Sequence, residues 1–260
     1  MIRKIVHIAL WVLLAGWFTL MMGFVSRSSA DILCGELSVI ISDSATTKFV
    51  TDQAIREMIK NSGMNIQGYP VAGIDTRKLE KIIEEQPYVE NAEVYIDIEG
   101  RLFIDVDQRK PLVRLMPGGK QGFYIDADGV ILPLSKTYAP MVLLVTGFCD
   151  FKIAGDEHGV KHTDKGSDQE IGQLLGFAEY VSAHPFWSNQ VVQMYRNKNG
   201  DYELIPRVGA HQVIFGPMDH YNEKLRNLSL LYDQGLKKYG WNNYDKINLK
   251  YSNQIICTKR

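Results

Sequence analysis

Residues 87–115 read "PYVENAEVYIDIEGRLFIDVDQRKPLVRL", and the alternation within this stretch decides how the chain folds. Apolar side chains recur at every second position on both sides of a glycine-containing turn, the pattern of two half-buried antiparallel strands. Val94, Ile96 and Ile98 share one face of the first strand; Leu102, Ile104 and Val106 share one face of the second. Opposed residues of an antiparallel pair lie on the same face, so the apolar sets meet only across a loop of odd length. The simplest is Glu99-Gly100-Arg101, which sets Ile98 against Leu102, Ile96 against Ile104 and Val94 against Val106. A two-residue Glu99-Gly100 turn would put Val94 opposite Asp105 and is rejected. Asp97, Glu99, Asp105 and Asp107 then face solvent, and the apolar face needs a cover.

The cover lies upstream. "GELSVIISD" (Gly35–Asp43) reads as a strand. Thr51 is an N-cap for a helix whose Ile55, Met58 and Ile59 form one stripe, and Gly63 ends it. A second helix begins at Asp75, places Leu79, Ile82 and Ile83 together, and stops before Pro87. Strand, helix, helix, strand, strand is a small α+β domain with two helices on one side of a three-stranded sheet.

Further upstream, Ile5–Val25 carries no formal charge. As a helix at ~1.5 Å per residue it would be about 31 Å long, close to the hydrocarbon thickness of a bilayer. Arg3 and Lys4 precede it, so the short tail of residues 1–4 should stay cytoplasmic and everything after Val25 should be exported. A cleaved signal peptide competes, because Ser28–Ala30 are small residues, but the apolar run exceeds an ordinary h-region. A lipoprotein reading of Cys34 is opposed by Leu33, which stands where a small residue is needed.

Downstream of Pro111 the texture changes to strands with turn punctuation. "GFYIDADGVILP" is a hairpin cornering at Asp126–Gly129, "MVLLVTG" is a buried run, and "QVVQMYRNKNGDYELIP" turns at Lys198-Asn199-Gly200. Ser167 and Glu170 form a capping box ahead of Ile171, Leu174, Leu175, Ala178 and Val181, and that helix ends at Pro185. "HQVIFG" is another strand. A last helix, Asp219 to Tyr239, points Leu225, Leu228, Tyr232, Leu236 and Tyr239 inward, and "YDKINLKYSNQIICTKR" closes the chain as two short strands or one bent one. The domains are therefore residues 36–108 and 109–258, with "QRKP" as the hinge between them.

Bulk composition excludes several classes. With 29 basic and 30 acidic side chains in 260 residues and a net charge of −1, nothing recruits nucleic acid by electrostatics. Cys34, Cys149 and Cys257 fit no metal spacing; one pair could bridge in an oxidising exterior, and idle thiols are the simpler reading. His158 and His162, with Asp156, Glu157 and Asp164 nearby, have the spacing of a helical metal pair, but Gly155, Gly159 and Gly166 make the segment a hairpin loop. Asp126 and Asp128 begin like a calcium loop, yet position twelve is Thr137. No G-x-S-x-G elbow occurs. The expectation is a chain without catalytic, cofactor or metal residues.

P-x-V-x-x-A-x-V at Pro87, Val89, Ala92 and Val94, then "LFIDVDQRKPLVRL", "YIDADGVILP", "ELIPRVGAHQVIFG", "EKLRNL" and "INLKYSNQIICTK", together resemble the exterior of the cell-division protein family FtsQ/DivIB. The order of these motifs across the exported chain, rather than any one of them, carries the resemblance. It implies a transmembrane helix, a POTRA domain and a mostly antiparallel β domain with packed helices. It also implies a non-enzymatic single-pass scaffold of the divisome in the inner membrane at the septum, holding FtsB- and FtsL-type partners that control septal peptidoglycan synthesis. Many members have a longer cytoplasmic tail than this chain. The family captures its partner at the final strand of the β domain, which the resemblance equates with Ile247, Asn248, Leu249, Lys250, Tyr251 and Ser252; Tyr251 stands at the aromatic position. An exposed edge strand can accept a partner by β-augmentation, whereas a core role for Tyr251 competes. The other reading weighed is a POTRA protein of outer-membrane assembly or secretion, against which the chain is too short to include a β-barrel.

Overall fold

The computed structural model describes residues 7, 10–22, 32–44, 47–64, 66–118, 121–149, 153–155, 161–163, 169–252 and 254–260. Residues 10–22 form helix α1. Among the described residues no helix is long and apolar enough to cross a membrane; most of the remainder of the expected span at 5–25 lies outside them. The chain divides into two compact units, Met1–Gln108 and Arg109–Arg260.

In the first unit, β1 (Leu37–Ile41), α2 (Asp52–Asn61), α3 (Thr76–Glu84), β2 (Val89–Ile96) and β3 (Leu102–Gln108) follow in that order. The Thr51 hydroxyl accepts from the Ala54 N–H, and Asp75 caps α3 by accepting from the Lys78 N–H. The sheet order is β1-β3-β2, with β1 parallel to β3. Ile55 and Ile59 of α2, Leu79 and Ile83 of α3, and Val94, Leu102, Ile104 and Val106 of the sheet are buried together. Each such side chain contributes roughly 1.5–3 kcal/mol.

The β2–β3 register departs from the expected one by two residues. Val94 pairs with Ile104, Ile96 with Leu102 and Ala92 with Val106, so the odd loop length and the shared apolar face hold, but Ile98 is 92 % exposed. Turn chemistry accounts for the shift. The Asp97 N–H donates to the Arg101 carbonyl, while Asp97 Oδ1 accepts from the Glu99 and Arg101 N–H groups. Gly100 takes the left-handed position at φ 83°, which in a three-residue loop is the last. The loop is therefore Ile98-Glu99-Gly100, and one isoleucine is left at its tip.

The second unit is built on a mixed sheet, β14-β13-β12-β11-β10-β7-β4-β5-β6. Its strands are β4 (Pro111–Pro117), β5 (Phe123–Asp126), β6 (Ile131–Pro133), β7 (Leu143–Gly147), β10 (Val191–Arg196), β11 (Tyr202–Pro206), β12 (Gln212–Gly216), β13 (Tyr244–Asn248) and β14 (Ile256–Lys259). Most of its strand pairings are antiparallel, as expected, but β4, β7 and β10 at the centre run parallel, as do β12 and β13. Parallel neighbours need a crossover. From β7 to β10 it includes the ladder β8 (Ile153–Gly155) with β9 (Lys161–Thr163), then α4 (Gln169–Ala183) and α5 (Trp187–Gln190). The first ladder agrees with the hairpin reading of that segment; Asp156, Glu157, His158 and Asp164 lie outside the described residues.

From β12 the chain crosses to a parallel β13 through α6 (Tyr221–Leu230), a π-helical segment Leu231–Leu236 and α7 (Lys237–Tyr239). Leu225, Leu228, Tyr232 and Leu236 are buried as expected, but Tyr239 is 57 % exposed. The wider π turn uses more residues per revolution and carries Tyr239 off the stripe. Phe177 of α4 meets Phe215 of β12 edge-on at 5.5 Å, joining helix and sheet in one core.

Of the capping box expected at Ser167 and Glu170, Ser167 lies outside the described residues; the Glu170 carboxylate accepts from Arg196 and Tyr202. Arg109 Nη1 is 3.1 Å from Asp126 Oδ2, with both side chains largely buried, and Asp126 Oδ1 accepts from the Asp128 and Val130 N–H groups.

His211 is buried, with Nε2 2.9 Å from the Tyr232 hydroxyl, beside Trp241; Nδ1 has no hydrogen-bond partner among the described residues. Burial lowers the His211 pKa below the ordinary imidazole range. The unfolded chain therefore binds the proton first as pH falls, and stability declines from about pH 6.5 downward until the folded-state pKa is reached. Urea unfolding at pH 7.5 and pH 5.5 is expected to show that loss in the wild type and a reduced slope in His211→Asn. An unchanged slope would remove His211 as its source.

Candidate partner-binding site

Of the six residues expected to form an edge strand, none does. β13 pairs on both sides: Val213 with Ile247 and Ile214 with Asn248 on β12, Ile247 with Cys257 and Asn248 with Ile256 on β14. Ile247 and Leu249 are buried. Of the two closing arrangements open to the sequence, the chain takes the two short strands, and the return strand β14 covers β13. The exposed edge at this end of the sheet is β14, which sequence reasoning did not select. Its one local signal was the β-branched run in "IICTK".

Between the strands the chain is held in place and then released. The Leu249 N–H donates to the Ile214 carbonyl, and Asn248 Oδ1 accepts from the Lys250 N–H. Lys250 Nζ sits 2.7 Å from Asp201 Oδ2, which raises the lysine pKa. Its methylenes lie over Gly216, where a Cβ would come within 2.8 Å of Lys250 Cγ. Tyr251 is 52 % exposed, so it is a surface residue rather than part of the core. It borders a cavity of about 360 Å³ shared with His220, Glu223, Lys224 and Ile255. A backbone edge and a half-exposed tyrosine thus adjoin at one end of the sheet. The arrangement offers hydrogen-bonding groups and apolar area.

The family model described as FtsQ/DivIB, C-terminal related, matches residues 110–258. The chain belongs to the FtsQ/DivIB family. A POTRA-like domain model matches residues 32–107, and no curated protein matches the chain. Within FtsQ/DivIB, the matched C-terminal stretch takes in β13, Tyr251 and most of β14. The POTRA-like stretch takes in β1, α2, α3 and nearly all of the β2–β3 hairpin.

Proposed function

We propose that this FtsQ/DivIB protein is a non-enzymatic, membrane-anchored scaffold of the division machinery whose second unit captures an FtsB/FtsL-type partner at the β14 edge, beside Tyr251. The observation that carries the reading is the open edge of β14 within the family-matched unit. An extended partner segment would add a strand there, with backbone hydrogen bonds giving affinity. Tyr251 would supply the large, low-entropy contact typical of a hot spot. Through that grip the scaffold would bear on septal peptidoglycan synthesis.

The anchor would be the apolar run at 5–25, with residues 1–4 cytoplasmic and both folded units outside, in the inner membrane at the septum. Its described part supports this. Leu10, Trp11, Leu13, Trp17, Phe18 and Leu20 of α1 are exposed apolar side chains. The Thr19 hydroxyl donates back to the Ala15 and Gly16 carbonyls, as a polar group in lipid must.

Site-specific crosslinking in cells from Tyr251 and from Ile256 tests the assignment and is expected to trap one partner from both positions. Tyr251→Ala is expected to weaken capture about tenfold or more. Alternate residues of an edge strand turn their N–H outward, so proline at either Cys257 or Thr258 should abolish strand addition at one of them while sparing the fold. Wild-type capture by all three folded variants would refute the β14 site. Loss of outer-membrane proteins on depletion, without filamentation, would favour a role in outer-membrane assembly or secretion instead.

A further inference from the structure

The two edges of the first unit's sheet are treated differently. Along β2, the Val94 N–H donates to Glu80 Oε1 at 3.0 Å and the Ala92 N–H to Glu84 Oε1 at 3.4 Å. Glu80 and Glu84 stand one turn apart on α3, so the helix lays two carboxylates along that edge and occupies its donors. The edge of β1 has no such cover among the described residues. The Glu36 carbonyl accepts from the Leu102 N–H, and the Ser42 N–H donates to the Val106 carbonyl. Even-numbered residues of β1 therefore face β3, and Leu37, Val39 and Ile41 turn their backbone groups outward. One edge is closed to strand addition and the other is open.

The sheet face beside the open edge, on the side away from the helices, has a definite chemistry. Pairing puts Ser38 next to Phe103 and Ile40 next to Asp105, with Tyr95 and Glu93 opposite them on β2. Tyr95 and Phe103 stack at 5.3 Å, and Ile40 is 48 % exposed. Asp105 Oδ2 is 3.4 Å from the Tyr95 hydroxyl, while its Oδ1 is shielded from water and has no hydrogen-bond partner among the described residues. Arg101, held by Asp97 and Glu99, lies over the Phe103 ring at 5.9 Å from its centroid, which leaves Tyr95, Glu93 and Asp105 as the groups open to a further cation. The face thus combines poorly solvated negative charge with aromatic rings, and both attract a cation.

We propose that the β1 edge accepts an extended segment of another protein whose lysine or arginine side chains alternate onto this aromatic, acidic face. Backbone pairing to Leu37, Val39 and Ile41 supplies the affinity, Glu93 and Asp105 set the preference for basic residues, and Ile40 offers apolar area to their methylene stems. A second copy of this chain fits badly, because β1-to-β1 pairing would bring Glu36 and the Asp105 faces of two copies together. An anionic membrane surface is repelled for the same reason.

The test measures amide exchange in the full-length chain in neutral detergent, with a short peptide alternating valine and lysine and with its valine–glutamate counterpart. The basic peptide is expected to slow exchange at Leu37, Val39 and Ile41 about tenfold or more, and the acidic peptide to leave it unchanged. Ile40→Lys, at an exposed position, should abolish the effect, and Asp105→Asn should weaken it severalfold. Equal protection by both peptides would overturn the proposal, as would protection at Ala92 and Val94 instead. Protection that rises with protein concentration alone, or that appears only with anionic vesicles, would do the same. The β14 site plays no part in this readout, so the two outcomes are independent.

Discussion

Gln108→Leu is expected to destabilise the first unit by about 3 kcal/mol or more, because one buried amide satisfies four backbone groups at once. Gln108 Oε1 accepts from the Phe49 N–H at 3.0 Å and from the Val50 N–H at 2.9 Å. Its Nε2 donates to the Thr47 carbonyl at 2.8 Å and, at 3.4 Å, to that of Ser42. The side chain thereby ties the last residue of β3 to the segment that leads from β1 into α2. Leucine fills a similar volume but leaves Phe49 and Val50, both buried, with no acceptor from this position. For a domain of this size the loss amounts to a midpoint shift of roughly 12–24 °C. Calorimetry and amide exchange at Phe49 and Val50 read the effect. Wild-type protection of those two amides in the variant would show that the clamp does not hold the segment.

Glu170→Ala should have the largest effect on the second unit, about 2–3 kcal/mol. Arg196 Nη2 donates to Glu170 Oε2 at 2.7 Å, and the Tyr202 hydroxyl donates to Oε1 at 2.9 Å. Arg196 also donates to the Phe148 carbonyl, so one guanidinium links α4, β10 and the end of β7. Tyr202 is fully buried, and burial together with the Glu170 charge pushes its phenol pKa up. Removing the carboxylate leaves a buried hydroxyl and a mostly buried cation without their acceptor. A third of the Glu170 side chain is exposed, so water moderates the loss below that of a fully buried pair. Glu170→Gln should recover about half, since an amide oxygen still accepts from Tyr202. Urea midpoints separate these cases, and a change under about 0.5 kcal/mol in Glu170→Ala would place the interaction among ordinary surface pairs.

Three hairpin loops share one local code. Asp97-Ile98-Glu99-Gly100-Arg101, Asp126-Ala127-Asp128-Gly129-Val130 and Asn197-Lys198-Asn199-Gly200-Asp201 each start with a side-chain carbonyl or carboxylate oxygen that accepts the N–H groups two and four residues on. Each has glycine at a positive φ in the fourth place. The expected turn at Lys198-Asn199-Gly200 holds. The first loop lies one residue before the expected Glu99-Gly100-Arg101, because the left-handed position taken by Gly100 outweighs burial of Ile98. The code lies within five residues of sequence and takes precedence over a single isoleucine.

What the sequence determined by itself lies within a few residues of its cause. Helix starts at Thr51 and Asp75, the odd β2–β3 loop, the shared apolar faces and the family motifs all rest on neighbours in the chain. Only the tertiary structure decided which backbone groups stay unpaired. β13 lost its edge because the α6 crossover returns it beside β12 and the turn at Tyr251 folds β14 back over it. β2 lost its edge because α3 aims Glu80 and Glu84 along it. An edge is defined by the absence of a neighbour, and strand pairing between distant segments leaves no periodicity in either one; burial patterns report faces, whereas docking here depends on edges.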